Sequence, residues 1–484
     1  MTQRIPLIVV LGATACGKSK LAIDLARRFG GEIISADSMQ VYLGLDIVTN
    51  KVTQEERQQV KHHLIDFLDP LKRYSVVDYR NRSLGIINSL MERGRLPIVV
   101  GGTNYYIESI LWRSFIMEPA LESAKRNFSQ ITEVTSEAIE KELGDSETLI
   151  DSELQHINST ETDLIHEDKD LEDVGKFFSK KIYSFGLRNI KSDKLWQLLE
   201  KVDPQTAHII HPNDRRKVIR SLQVIQDKKK NYSDILDEVN RNDDDDFSLG
   251  GPLRYSTYVM WLDCPSIDEL DKIMDARVEQ MLERNLIGEL EQFHKEYNEQ
   301  RVQRNDDPNY QLGIFQAIGF KEFHNYLMLD ESAKKTDDGK ALLQQSIADM
   351  KLSTRRYARR QLKWIRKRFM QSGFRDLPVL FRFETTFDEE CWRKHVLEPA
   401  CSIVESIREG RELTEDLIKY KQEPEDQPIR NKPAKYYCED CDRTFIGSLH
   451  IEQHLKSRKH HKIRSKRLRT TDEKFLAKTL TFEQ

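Results

Sequence analysis

PLIVVLGATACGKS, residues 6–19, decides the fold. Its first half is a short, uninterrupted apolar run, the pattern of a strand buried on both faces. Its second half satisfies G-x-x-x-x-G-K-[ST] and leads into a segment of helical periodicity, Lys20 to Phe29. Strand, glycine turn and helix in that order make a phosphate-binding loop. Gly12 and Gly17 let the backbone turn its N–H groups onto an anion, Lys18 reaches phosphate oxygens, and Ser19 can ligate Mg²⁺. Ala13, Thr14, Ala15 and Cys16 complete the loop, and the ligand should carry a di- or triphosphate.

Similar runs recur outward from this stretch: EIISA (32–36), a weaker HHLID (62–66), LPIVVGG (96–102) and STYVMWLDC (256–264). Helical segments such as Tyr79 to Arg93 lie between them, so the chain reads as α/β with an open parallel sheet, residues 1–112 forming its first part. ATP-driven motors hold Mg²⁺ through a second acid at a strand end. The best such strand here, Ile98 to Val100, ends in GGT, and Asp66 and Asp263 are weaker candidates. A small-group kinase or a transferase that expels pyrophosphate remains.

Asp37 follows the second strand, where open parallel sheets face their ligands. A carboxylate there can act as general base; the competing reading is a helix N-cap. In GGTNYY (101–106), two glycines permit close approach and Thr103 offers a hydroxyl, with an N-cap again the alternative.

After Trp112 the character changes. Residues 113–225 read as a helical insert carrying an acidic, partly disordered segment, 133–173, with fifteen acids against two lysines. Residues 226–410 return to the core through the strand at 256–264 and continue as helices. They include the run Lys351 to Met370, with nine Lys or Arg and no acid. Arg355, Arg356, Arg359, Arg360, Lys363 and Arg366 recur there at helical spacing, a stripe suited to a phosphate backbone, or else a surface face paired with acids.

Residues 411–435 have linker composition. Residues 436–461 contain Cys438, Cys441, His454 and His460 as C-x2-C-x12-H-x5-H, a Zn²⁺ set with Phe445 and Ile451 as its small core; His461 could replace His460. A basic tail, 462–484, follows, and the cluster at 456–469 suits nucleic acid or a nuclear-localisation signal.

The whole chain has 484 residues and 76 Lys plus Arg against 80 Asp plus Glu, a net charge of -4. That balance averages acidic and basic blocks and says little about partners. No run is apolar enough to span a membrane, mean hydropathy is -0.64, and six sparse cysteines, of which only Cys438 and Cys441 form a pair, indicate a reducing compartment.

Taken together, these segments resemble the tRNA dimethylallyltransferase (tRNA isopentenyltransferase) family. The ordered blocks are GATACGKS, ISADSMQVYLGLDIVTNK (34–51), DPLKRYSVVDYR (69–80), PIVVGGTNYYIESIL (97–111), HPNDRRKVIRSLQV (211–224), GIFQAIGFKEF (313–323) and TRRYARRQLKWIR (354–366). Ala13 and Cys16 stand where proline and serine are common, and the acidic segment matches nothing in the family's insert.

The resemblance implies a P-loop NTPase-like parallel-sheet core, a helical insert, a helical C-terminal part and a small C2H2 finger of the eukaryotic branch. It implies transfer of a dimethylallyl group from dimethylallyl diphosphate to N6 of the adenosine 3′ of the anticodon, tRNA position 37. The loop residues would hold the diphosphate with Mg²⁺, and Arg220 would clamp it. Asp37 would take the N6 proton and Thr103 would position the reacting centre. Asp37, Ser38, Met39 and Gln40 would line the channel for an extruded base. Gln316, Gly319, Phe320 and Lys321, with Arg355, Arg356, Arg359 and Arg360, would contact tRNA. The long histidine spacing is similar to matrin or U1-type fingers associated with RNA. Expected partners are the anticodon stem-loop and the prenyl donor, with no membrane and a monomeric chain. The expected location is the cytoplasm, with mitochondrial or nuclear shares left open. The rivals are a P-loop kinase acting on a nucleotide or RNA end and a non-enzymatic RNA-binding zinc-finger protein.

Overall fold

The structure is a computed structural model and describes residues 5–72, 74–113, 190–228, 231, 252–264, 266–304, 313–371, 376–385, 388–425 and 434–467. The opening apolar run becomes β1 (Leu7–Gly12), buried along its whole length. The other strands of its sheet are β2 (Glu32–Ser35), β3 (His62–His63), β4 (Pro97–Val100), β5 (Thr257–Asp263), β6 (Val379–Glu384) and β7 (Lys421–Gln422). They run in the order β3-β2-β4-β1-β5-β6-β7. All pairs are parallel except β6 with β7.

Val9 lies opposite Val99 on one side and Val259 on the other. Alternate residues of β1 feed two cores, Ile8 and Val10 one, Leu7, Val9 and Leu11 the other. That is why the strand shows no polar alternation: both faces are covered.

The helices of this unit are α1 (Lys18–Phe29), α2 (Gln54–Gln59), α3 (Val76–Glu92) and α4 (Asn104–Leu111). Ser75 and Asp78 close a capping box at the start of α3, which begins three residues before the periodic segment seen in sequence. Compact unit one comprises Met1–Ile116 with Asp245–Gln427; unit two comprises Met117–Asp244 with Pro428–Gln484. Unit two contains α5 (Ser192–Val202), α6 (Pro204–Ile209) and α7 (Arg215–Lys228), packed through Leu195, Trp196, Leu199, Val218 and Leu222. Unit one resumes with β5, then α8 (Ile267–Glu283), α9 (Leu286–Arg304), α10 (Phe320–Leu327), α11 (Asp337–Phe369) and α12 (Glu398–Glu409).

The finger, in unit two, is β8 (Lys435–Cys438), β9 (Arg443–Ile446) and α13 (Ser448–Leu455). Within that unit the Lys435 ammonium lies 3.8 Å from the Trp196 ring centroid, and His211 Nε2 lies 3.0 Å from the Thr444 carbonyl oxygen.

Two boundaries read from sequence are corrected. Val379–Glu384 is a strand inside residues 226–410, where only helices were expected after the strand at 256–264. Lys421–Gln422 pairs with it inside the stretch taken as linker, so unit one continues through Gln427. A two-residue strand has no periodicity to read, and the VLFRFE run was masked by the long helices before it. The HHLID run shrinks to a two-residue strand because Leu64 and Asp66 both take positive φ. The acidic segments 133–173 and 243–246 lie outside the described residues.

Candidate active site and zinc site

The C-terminal ends of β1, β2 and β4 bring the three sequence signals together. After β1 the chain turns through the glycine loop read from sequence as phosphate-binding, and Gly17 takes φ 83°. A Cβ there would lie 2.5 Å from the Trp392 ring, so only glycine fits. Lys18 Nζ donates to the Ala13 carbonyl at 2.7 Å. Burial pushes its ammonium down to about 8. Cys16 is buried, which pushes its thiol up to about 11, so it packs and does not react.

Asp37 caps no helix. Its Oδ1 accepts from the Met39 N–H at 2.9 Å in a turn. Thr103 precedes α4 without a side-chain capping bond; its hydroxyl accepts from the Ser38 N–H at 3.0 Å and donates to Ser38 Oγ at 3.1 Å. Both competing N-cap readings therefore give way, since each side chain is engaged at the sheet edge. At Gly102 a Cβ would meet Asp37 Oδ2 at 2.9 Å and Gln361 Nε2 at 3.0 Å, so glycine lets the carboxylate reach this edge.

Two cavities meet here. One, about 270 Å³, is lined by Lys18, Ser19, Gln40, Arg277 and Asp37. The other, about 590 Å³, has apolar walls from Met39, Met281, Ile318 and Met350 and reaches Gln316, Lys321, Arg360 and Trp364. Asp37, Gly102, Arg277, Tyr357 and Gln361 line both.

Sequence reasoning missed Arg277 and Gln361. Arg277 is half-buried on α8, and burial lowers its guanidinium to about 10 against the opposing pull of Asp37. Its signal was a lone arginine among Leu270, Met274, Val278 and Met281, the buried positions of that helix. Gln361, on the cationic helix α11, accepts from the Thr14 N–H at 2.8 Å and donates to the Gly102 carbonyl at 2.8 Å. Tyr357 Oη donates to that same carbonyl at 2.8 Å. One side-chain amide thus ties the phosphate loop to the GGT edge. Arg220 lies exposed on α7 of the second unit.

Neither weaker acid lines the phosphate-loop cavity. Asp66 pairs with Lys51 and Arg57. Asp263, at the end of β5, is held by Arg382 at 2.9 Å, and burial raises its carboxyl.

The expected RNA face divides. Arg355 pairs with Asp275 at 2.8 Å and Arg359 with Asp271 at 2.5 Å, so α8 neutralises part of the stripe. Arg356 and Arg360 are exposed and make no ion pair among the described residues. Gln316 and Lys321 are exposed at the larger cavity. Phe320 is corrected: it is buried in a core cluster and cannot touch a ligand directly. Gly319, with a φ of 123° and its N–H bonded to Glu322, opens α10.

In the finger, the ligand atoms of Cys438, Cys441, His454 and His460 lie within 4.8 Å of one another. His454 Nε2 is buried without a hydrogen-bond partner in the protein, as a metal-binding nitrogen would be. Two thiols and two imidazoles suit a tetrahedral zinc ion. His460, rather than the exposed His461, belongs to the set. Removing zinc with a chelator should loosen the finger and expose residues 434–467 to protease while unit one stays resistant; limited proteolysis reads this directly.

The sequence patterns of known families match these regions. The family described as IPP transferase matches residues 40–171 and 162–368, and isopentenyl transferase matches 5–70. The family described as zinc-finger double-stranded RNA-binding matches 435–460. A Homo sapiens tRNA dimethylallyltransferase is 38% identical over 462 residues, covering 95% of this chain and 86% of the relative. The Schizosaccharomyces pombe tRNA dimethylallyltransferase is 31% identical over 474 residues, covering 94% of each chain. A solved structure of a eukaryotic dimethylallyltransferase acting on tRNA superposes with a TM-score of 0.70 at 26% identity, covering 98% of this chain and 100% of that one. With the phosphate loop, the Asp37 edge and the finger in the family's order, this chain belongs to the tRNA dimethylallyltransferase family.

Proposed function

We propose that this chain transfers a dimethylallyl group from dimethylallyl diphosphate to N6 of the adenosine 3′ of the anticodon in tRNA. The observation that carries the reading is the wall shared by the two cavities, where Asp37 faces both the phosphate loop and the larger, mainly apolar chamber. The N6 lone pair attacks the first allylic carbon, the carbon–oxygen bond to the diphosphate breaks, and pyrophosphate leaves. Asp37 takes the N6 proton. Lys18 and Arg277 stabilise the charge that gathers on the leaving group, and Thr103 holds the Ser38 edge on which Asp37 stands.

The hydroxyl of Ser19, which lines the cavity with Lys18, is an oxygen ligand of the kind Mg²⁺ takes. The ion would supply further charge neutralisation there. Arg220 is retained as a second clamp proposed from sequence. The finger matches a family described as binding double-stranded RNA and would bind tRNA; Arg356 and Arg360 are proposed tRNA contacts in their own right. We take the chain to act as a monomer in the cytoplasm; among the described residues no helix is long and apolar enough to cross a membrane.

The test incubates the full chain with unmodified tRNA and labelled dimethylallyl diphosphate, then digests the RNA to nucleosides. Labelled N6-prenyladenosine is expected; its absence sinks the reading, and phosphate transfer from ATP in a parallel reaction would favour a kinase. Arg277→Ala should raise the KM for the donor about tenfold or more, as loss of a charged hydrogen bond to phosphate does. Arg220→Ala in the same assay measures whether the second clamp contributes.

A further inference from the structure

At the mouth of the larger cavity two aromatic side chains stand in solvent. Tyr105 on α4 is 42% exposed and Trp364 on α11 is 38% exposed, and both line the chamber that ends at Asp37. The indole is not free to swing. Trp364 Nε1 donates to the carboxylate of Glu108, which is fully buried and also accepts from Arg368 Nη2 at 3.0 Å. Tyr105 meets the indole edge to face, with ring centroids 6.3 Å apart and planes at 81°.

A carboxylate is costly to bury unless its partners are good. Here one partner is the indole, so a group in the protein interior sets the orientation of a ring that is itself 38% exposed. Arg360 and Lys321 line the same chamber and supply cations beside it. A rigid, exposed indole flanked by cations is the arrangement that receives unstacked bases in single-stranded RNA.

Drawing one base out of a stacked loop uncovers a face on each neighbour it leaves behind. We propose that Trp364, with Tyr105 beside it, stacks on the nucleotide adjoining the extruded adenosine and so holds the loop open at the mouth of the cavity. Both are then positioning residues: neither touches the reacting atoms. The inference rests on the reading that the adenosine enters this chamber toward Asp37.

The test compares wild type, Trp364→Phe, Trp364→Ala and Tyr105→Ala on an anticodon stem-loop RNA and on two versions with an abasic residue on either side of the target adenosine. On the intact RNA, Trp364→Ala should lower kcat/KM about tenfold, from the roughly 1–3 kcal/mol that a base–aromatic stack contributes. Trp364→Phe, which keeps a ring but not the donor, should lose much less. On one of the abasic RNAs the wild type and Trp364→Ala should converge to within about twofold, with Tyr105→Ala giving a smaller loss and the same convergence. Undiminished loss on both abasic RNAs, or Trp364→Phe as damaging as Trp364→Ala, overturns the proposal.

A readout without chemistry keeps the two ideas apart. With 2-aminopurine at the neighbouring position and no prenyl donor, the wild type should quench its fluorescence and Trp364→Ala should not. Quenching without transfer supports the stack and refutes the transfer reading; transfer without quenching or abasic coupling refutes the stack alone.

Discussion

Replacing Asp37 by alanine lowers the single-turnover rate of prenyl transfer by about 10²–10⁴-fold, the usual contribution of a general base, and leaves tRNA affinity within a few-fold of wild type. One carboxylate oxygen is engaged by the Met39 N–H, and the other faces the Gly102 edge. Asp37 therefore stands between the two cavities with an oxygen available to the incoming amine. Adenine N6 is weakly basic but becomes acidic as its bond to carbon forms, which is when a nearby carboxylate is useful. Asp37→Asn separates basicity from shape, since the amide oxygen can still accept from Met39. It should fall nearly as far as Asp37→Ala in rate while retaining binding. Equal losses in rate and tRNA affinity would assign Asp37 to binding, and a wild-type rate in both variants would remove it from the chemistry.

The affinity of the free protein for dimethylallyl diphosphate should weaken as pH rises through about 8. The cavity strips water from Lys18 and lowers its ammonium to about 8, and Arg277 nearby pushes in the same direction. The sign follows: the cation that attracts the diphosphate is present below that pH and is lost above it, up to tenfold in Kd per pH unit. A bound diphosphate favours the charged ammonium, so binding above pH 8 should take up a proton. Calorimetry in two buffers of different ionisation enthalpy would detect it. Lys18→Met should weaken donor binding about 10- to 100-fold at neutral pH and flatten the alkaline limb. A limb that survives in Lys18→Met would place the titrating group elsewhere.

The sheet was legible in sequence where apolar runs stand alone and end in glycine, as at Leu11–Gly12 and Val100–Gly101. It was illegible at Val379–Glu384, which follows a long helical stretch, and at Lys421–Gln422, which is too short to show a period. The phosphate loop, Asp37 and Thr103 could be read because their residue types and their place after strands carry chemical meaning. Arg277 and Gln361 could not be read so directly. Each is one polar residue on a mostly apolar or cationic helix, and its use depends on which loop the helix meets. The stripe on α11 shows the converse: spacing predicted the exposed face, but the neutralising partners Asp271 and Asp275 sit on α8, eighty and more residues earlier in sequence. Phe320 belonged to a recognisable block, yet packing accounts for it.

The order of the sheet also governs how the chain can mature on the ribosome. β1 is synthesised before every other strand of its sheet, and β4 can cover one of its edges early. The opposite edge is filled by β5, which emerges only after the whole intervening segment of unit two. Until then the central strand of the finished protein is an edge strand, with unpaired amides and an apolar face open to other nascent chains. The half-built sheet is therefore the interval in which this protein most needs a chaperone, and slowing translation between codons 101 and 256 lengthens that exposure.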